Sequence, residues 1–174
     1  MVMARCNKLV DAGRRQFLRG ASLAVAGSSA SAIVKPSQAA TAMARIEYPI
    51  NRLAHISELQ DNSPLDVSYP DEDAPGVLIK LGTAVEGGVG PDSDIVGFSV
   101  ICPHKGYPLS YNADYRTLNC PGHYSVFDCE AGGQQTWGHA TQNLPQYRLS
   151  VDSEGSIFAE AIDELLYGRL SNVL

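Results

Sequence analysis

The sequence lacks three features, and each absence removes a class of function. It has 13 Lys and Arg against 19 Asp and Glu, so it lacks the basic surface with which proteins bind nucleic acid. Its most apolar run, residues 20–34, is rich in Gly, Ser and Ala and shorter than the about 20 mostly apolar residues of a spanning helix. The 174 residues leave no room for a second catalytic domain. We therefore expect no nucleic-acid partner, no permanent membrane anchor and one compact domain.

The first 42 residues are typical of an export signal. Residues 13–19, Gly-Arg-Arg-Gln-Phe-Leu-Arg, resemble a twin-arginine leader, and small-residue sites for a signal peptidase follow the apolar run. We predict a signal peptide of residues 1–42 and a mature periplasmic domain of residues 43–174; a leader retained as an anchor is the alternative. The mature part keeps seven basic and eighteen acidic residues, a net charge near −11. Such a surface favours a partner with a basic docking patch.

Four potential metal ligands stand in two short stretches. Cys102-Pro-His104 and Cys120-Pro-Gly-His123 are separated by fifteen residues, and each supplies one cysteine and one histidine. A zinc finger usually groups a cysteine pair and then a histidine pair, whereas each stretch here donates one of each. This interleaved order fits a 2Fe-2S cluster in which two cysteines hold one iron and two histidines hold the other. A structural zinc site with the same four residues is the alternative.

These two stretches resemble the cluster loops of the Rieske family, which read C-x-H-x-G and C-P-x-H-x-S. Residues 102–106 read Cys-Pro-His-Lys-Gly, and residues 120–125 read Cys-Pro-Gly-His-Tyr-Ser. The resemblance implies one Rieske-type 2Fe-2S cluster per chain, ligated by Cys102, His104, Cys120 and His123. It implies electron transfer without a substrate-converting site in this chain, and it makes the exposed ring edges of the two histidines the electron port.

Residues beside the motifs are expected to hold the loops and tune the reduction potential. Many Rieske proteins join the loops by a disulfide between the positions of Tyr107 and Gly122, so here packing alone must hold them. In high-potential relatives, a serine at the place of Ser125 bonds a bridging sulfide, and a tyrosine at the place of Phe127 bonds a ligand cysteine. Because phenylalanine cannot donate that bond, we expect a potential below that of quinol-oxidising relatives and above that of plant-type ferredoxins. Cys129 is expected to be a buried free thiol, with an exposed reactive cysteine as the alternative.

The rest of the sequence predicts a mostly β fold. Short β-branched or aromatic runs bounded by turn residues indicate strands at 77–81, 95–101, 126–127, 147–151 and 156–159. With the resemblance, they indicate a Rieske-type antiparallel β sandwich or barrel whose cluster-binding part, about residues 101–145, lies at one tip. Within it, residues 138–145 take the place of the family's third loop, which covers the cluster.

Two further segments carry weaker patterns. Residues 61–76, rich in Pro, Asp and Glu, are expected to be loop. Apolar residues at helical intervals over 159–170 predict a short C-terminal helix, which packs on its own domain or, alternatively, contacts another subunit.

Four other residues have structural and functional interpretations. His139 is expected to be a hydrogen-bonded surface histidine, with a relay of electrons or protons as the alternative. His55 is expected to be structural. Lys105 either steers a partner or is a solvated loop lysine. Trp137, the only tryptophan, is expected to anchor the core or a loop.

The combined features resemble the small subunits of bacterial arsenite oxidases. Cys-Pro-His-Lys-Gly, Cys-Pro-Gly-His-Tyr-Ser-Val-Phe-Asp and Gly-Gly-Gln-Gln-Thr-Trp-Gly all lie in the 100–140 region, after an exported start. The resemblance implies a periplasmic heterodimer with a large molybdopterin catalytic subunit that oxidises arsenite. Electrons would then pass through this chain to a soluble cytochrome c or a blue copper protein. A Rieske subunit of a quinol-oxidising complex and a non-redox zinc-binding module are the alternatives.

Overall fold

The computed structural model describes residues 47–173, and the leader predicted for residues 1–42 lies outside them. The described chain contains ten strands and a short 3₁₀ helix, Ile56–Glu58. None of its helices is long and apolar enough to cross a membrane. The strands are β1 (Asn51–His55), β2 (Pro64–Ser68), β3 (Pro75–Lys80), β4 (Ile95–Ser99), β5 (Ser110–Asn112), β6 (Thr117–Asn119), β7 (Val126–Asp128), β8 (Gln134–Trp137), β9 (Tyr147–Val151) and β10 (Ser156–Ile162).

The strands pair antiparallel in three sheets within this part of the chain. Their orders are β1-β10-β9, β2-β3-β4 and β5-β6-β7-β8. A bridge between Phe98 and Gln146 links β4 to the segment that enters β9. The mostly β prediction is confirmed in its sandwich form, since these sheets pack together without closing into a barrel. The four-stranded sheet carries the loops that hold the proposed ligands.

The β2-β3-β4 sheet separates two hydrophobic cores because both of its faces are covered. Successive residues of a strand point to opposite faces. Val77 and Ile79 of β3 therefore pack with Cys102 and Cys120 in one core, while Leu78 belongs to a second core with residues of β1, β9 and β10. All five residues of β4 are buried, as expected for a strand that is covered on both faces. The two cysteine side chains therefore lie in the hydrophobic core on one face of this sheet.

The predicted C-terminal helix is wrong. β10 continues to Ile162, which pairs with Tyr147 of β9, so the start of the expected helix is strand. Because β10 lies between β1 and β9, pairing along both edges satisfies its backbone groups and outweighs the helical spacing. Beyond it, Leu166 is 5% exposed but Leu165 and Leu170 are 48% and 105% exposed. The apolar spacing therefore does not describe one buried helical face.

The segment expected to be loop, residues 61–76, contains the edge strand β2 and the start of β3. β2 pairs with β3 alone, and its residues alternate between exposed and partly buried. An edge position tolerates Pro64, since proline has no N–H to give to a second neighbour. Of the prolines that suggested a loop, Pro64 begins the edge strand, Pro75 begins β3, and Pro70 lies between the two strands.

Candidate metal centre

The first cluster loop, between β4 and β5, is a tight turn that buries a sulfur. The Cys102 N–H donates to the Tyr107 carbonyl at 2.8 Å, and the Gly106 N–H donates to the Cys102 carbonyl at 2.9 Å. Gly106 has a φ of +70°, in the left-handed region that favours glycine. Cys102 is fully buried, while His104 is only partly buried.

The second cluster loop, between β6 and β7, repeats this arrangement. The Cys120 N–H donates to the Ser125 carbonyl at 2.8 Å and closes the turn. Tyr124 has a φ of +58°, which is uncommon for a residue with a side chain. Cys120 is 3% exposed, whereas His123 lies at the surface. Both loops therefore direct a thiol inward and an imidazole outward.

The two loops bring the four predicted ligands together as two pairs. Cys102 and Cys120 are both buried in the same hydrophobic core. The ring centroids of His104 and His123 are 4.8 Å apart, with an interplanar angle of 68°. Over residues 47–173, no three His, Cys, Asp or Glu side chains gather around a single point. Two buried thiols and two more exposed imidazoles match the two pairs of ligands of a Rieske-type cluster, one pair on each iron.

The environment of His104 fits a metal ligand. Its Nδ1 is buried and has no hydrogen-bond partner in the described chain. A buried nitrogen without a partner is costly unless it binds another group. Burial lowers the pKa of His104, with His123 adding to the effect, and so favours the neutral imidazole that binds metals. Burial also raises the pKa of the Cys102 thiol, which a bound cation would deprotonate.

The third loop, between β8 and β9, rests on the second through Ser125 and Gly138. Ser125 is fully buried, and its Oγ accepts a hydrogen bond from the Ala140 N–H at 2.9 Å. That bond uses a lone pair, so the hydroxyl hydrogen stays free to donate to a cluster sulfur. Gly138 has a φ of +93°, and a Cβ there would lie 2.6 Å from the Tyr124 carbonyl oxygen. The sequence indicated Gly138 but not the Ala140 contact, because any residue supplies a backbone N–H.

Tyr107 and Gly122, the positions of the missing disulfide, are in direct contact. A Cβ on Gly122 would lie 2.7 Å from the Tyr107 ring, so the absence of a side chain admits the ring. The same ring stands edge-on to His123, with centroids 6.0 Å apart. Packing between a tyrosine and a glycine thus joins the two cluster loops.

Two residues below the loops lie where the sequence placed them. Phe127 is fully buried in the same core as Cys102 and Cys120. Cys129 is 1% exposed, and burial raises the pKa of its thiol to about 12. The prediction of a buried free thiol at Cys129 is therefore confirmed, and the reactive alternative is not supported.

The other histidines and Trp137 differ in how well they were predicted. His139 lies at the surface as expected, but its ring makes no hydrogen bond within residues 47–173, and its centroid is 6.1 Å from that of His104 and 6.0 Å from that of His123. His55 is structural as predicted, since its Nε2 meets the Glu154 carbonyl at 2.7 Å. Trp137 is 71% exposed, so its prediction as an anchor is wrong.

His123, Trp137 and His139 share one surface at the tip of the cluster loops. With Tyr124 they line a cavity of about 450 Å³. Lys105 is also exposed on the first loop. Among the described residues, no hydrophobic core covers this tip, so its aromatic side chains lie at the surface.

Comparisons with known proteins agree with this site. The chain is 37% identical over 164 residues to the iodate reductase subunit IdrB of Denitromonas iodatirespirans, covering 91% of this chain and 85% of that protein. It is 38% identical over 158 residues to the subunit of the same name from Pseudomonas sp. strain SCT, covering 89% and 81%. The soluble domain of Rieske protein II from Sulfolobus acidocaldarius shares the fold, with a TM-score of 0.63 and 23% identity, over 71% of this chain and 82% of that chain.

The fold and the two cysteine–histidine pairs fit a one-electron carrier. The Rieske [2Fe-2S] domain model matches residues 50–148, more than half of the chain. This chain belongs to the Rieske [2Fe-2S] family. Its cofactor is a Rieske-type 2Fe-2S cluster, and its role is electron transfer.

Proposed function

We propose that this chain is the electron-transfer subunit of a molybdopterin oxidoreductase that acts on an inorganic oxyanion. The observation that carries the proposal is that the same two loops place two thiols in one buried core and two imidazole rings with centroids 4.8 Å apart. Cys102 and Cys120 hold the inner iron, and His104 and His123 hold the outer one. A cluster with four protein ligands keeps no open position for a substrate, so the chain moves electrons and leaves the substrate chemistry to its partner.

Electrons enter and leave at the tip formed by His104 and His123. The three loops around it, residues 102–108, 120–125 and 138–145, contain no Asp or Glu, and Lys105 is their one Lys or Arg. The acidic residues of the domain therefore lie elsewhere. A partner that contacts these three loops meets no carboxylate on them. The partner's basic docking patch, expected from the net charge, would therefore face other surfaces of this domain.

The partner in this proposal is a large molybdopterin catalytic subunit, and the pair works in the periplasm. Both iodate reductase relatives are named as subunits, and each aligns with about nine tenths of this chain. The twin-arginine sequence at residues 13–19 supports export of a folded protein, which a cluster inserted in the cytoplasm requires. A soluble cytochrome c or a blue copper protein exchanges electrons with the complex.

The substrate we favour is iodate, because two relatives that align with nearly the whole chain are named as iodate reductase subunits. Arsenite is the second candidate, supported by the motifs at 102–106 and 120–128 that resemble arsenite oxidase small subunits. The two substrates drive electrons in opposite directions. Iodate takes electrons from the complex, whereas arsenite gives them to it.

The direction of electron flow tests the proposal in the native complex, purified with its large subunit. We expect iodate to reoxidise the dithionite-reduced complex and to abolish the EPR signal of the cluster. If arsenite instead generates that signal in the oxidised complex, the second substrate is correct. The proposal would be contradicted if the chain purified without any molybdenum subunit and quinol reduced its cluster.

A further inference from the structure

The chain does not end at β10 but continues along the surface as a segment of turns. We call residues 163–173 the C-terminal strap. It leaves the sheet at Asp163, whose carboxylate accepts a hydrogen bond from the Gln146 N–H at 2.7 Å. Leu166 then packs into the core shared by β1, β9 and β10. The strap is therefore fixed to the body of the domain at its start.

Polar contacts fix the strap again at its end. Arg169 meets Asp71 through two nitrogens, each 2.6 Å from a carboxylate oxygen, which is the bidentate geometry of a strong ion pair. Asn172 is 4% exposed; its Oδ1 accepts from the Leu166 N–H at 2.8 Å, and its Nδ2 donates to the Tyr48 hydroxyl at 3.0 Å. Tyr167 lies between these two anchored regions.

The ring of Tyr167 covers the glycine of the first cluster loop. A Cβ on Gly106 would lie 2.7 Å from the Tyr167 Cδ1 atom, so only a glycine admits the ring at this distance. The seam beneath the strap, lined in part by Ile101 and Leu166, holds a cavity of only about 30 Å³. Tyr167 is itself 45% exposed, so the strap is coupled to the loop through this contact with Gly106.

We propose that Tyr167 is a positioning residue that holds the first cluster loop on its cluster. The inference rests on the proposed ligation by Cys102 and His104. Gly106 closes the turn that carries Cys102 and His104, because its N–H donates to the Cys102 carbonyl at 2.9 Å. Hydrogen bonds from backbone N–H groups to a ligand sulfur stabilise the added negative charge of a reduced cluster, so holding this turn sustains both the potential and the lifetime of the cluster.

The test compares Tyr167→Ala with Tyr167→Phe in the full chain carrying its cluster. Loss of the ring frees the turn, so Tyr167→Ala should lose the visible absorbance of the cluster about tenfold faster, show a lower midpoint potential and shift the EPR g-values. Tyr167→Phe keeps the ring and should match the wild type in all three measurements. Tyr115→Ala removes a tyrosine that is 76% exposed in another turn and should also match the wild type.

Arg169→Gln gives a second route that spares the contact residue. It weakens the ion pair with Asp71, so it should change potential and cluster lifetime in the same direction as Tyr167→Ala, by a smaller factor. Because both changes release one strap, the double variant should behave like Tyr167→Ala alone. A Tyr167→Ala variant with wild-type potential and lifetime, or fully additive effects, would overturn the inference. A wild-type protein without a Rieske signal would overturn the proposed ligation instead.

Discussion

The potential of the cluster depends on which single side chains can donate hydrogen bonds to its sulfur atoms. Ser125 is fully buried and already accepts a bond from the Ala140 N–H, which leaves its own hydrogen to donate. Phe127 is equally buried but has no hydrogen to give. Each donated bond stabilises the reduced state more than the oxidised state. We therefore expect Ser125 to raise the midpoint potential of the cluster, whereas Phe127 makes no such contribution.

Phe127→Tyr should raise the midpoint potential. A new hydrogen bond of about 1–1.5 kcal/mol to the reduced cluster corresponds to a rise of roughly 40–65 mV for one electron. Potentiometric titration followed by EPR measures the change. Phe98→Tyr, at a fully buried phenylalanine of the same core, is the control and should leave the potential in place. An unchanged or lower potential in Phe127→Tyr would mean that this ring does not face the cluster.

Ser125→Ala should lower the potential by a similar roughly 40–65 mV, because the bond to the sulfide is lost. It also leaves the Ala140 N–H without its acceptor, so the free energy of unfolding should fall by about 1–3 kcal/mol. Ser99→Ala is the matched control, since the Ser99 Oγ accepts from the Ile101 N–H at 3.2 Å. That control should lose stability alone. A Ser125→Ala variant with an unchanged potential would remove Ser125 from the cluster.

At the scale of elements, the sequence predicts the long patterns and the chemistry but not the long-range contacts. β9 has the predicted bounds, because its five residues show clear β character. β5 and β6 have three residues each, too few to show an alternating pattern. The two cysteine–histidine pairs could be proposed from the sequence because each motif places both side chains within four residues. The contact of Tyr167 with Gly106 could not, because only the folded chain brings those two segments together.

A disulfide engineered at Tyr107 and Gly122 should form and slow the loss of the cluster. The Tyr107 Cγ lies 3.0 Å from the Cβ position at Gly122. The two Cβ atoms of a cysteine pair would therefore lie within about 4.5 Å, inside the range of a disulfide. Thiol titration of Tyr107→Cys/Gly122→Cys, with each single variant as control, measures formation. If the cluster of the double variant is lost as fast as that of the single variants, or if reductant has no effect, the loops are not joined at this point.

At the scale of the whole molecule, charge and the proposed export determine where we expect the carrier to work. Residues 43–174, the predicted mature domain, have a net charge near −11, while the loops 102–108, 120–125 and 138–145 carry no Asp or Glu. The loops at the electron port therefore present no carboxylate of their own that would repel an acidic partner. Periplasmic location is part of the proposal, and it depends on the arginine pair at residues 14–15.

Replacing both arginines with lysine, Arg14→Lys/Arg15→Lys, should stop export while the cluster still forms. The twin-arginine route carries proteins that are already folded, so the blocked protein should collect in the cytoplasm in its coloured form. Cell fractionation with EPR of each fraction is the measurement. Lys8→Arg conserves charge in the same leader and serves as the control. Normal periplasmic levels of the double variant would contradict export by this route.

EPR of the native protein after reduction, together with metal analysis, tests the paired ligation most directly. Two irons per chain and a rhombic signal with the low average g-value of a cysteine- and histidine-ligated 2Fe-2S cluster are the expected results. The signal should disappear in Cys102→Ser and in His123→Ala, while Cys129→Ser should keep it. A colourless protein that holds one zinc ion and gives no signal would contradict ligation of an electron-carrying cluster by Cys102, His104, Cys120 and His123.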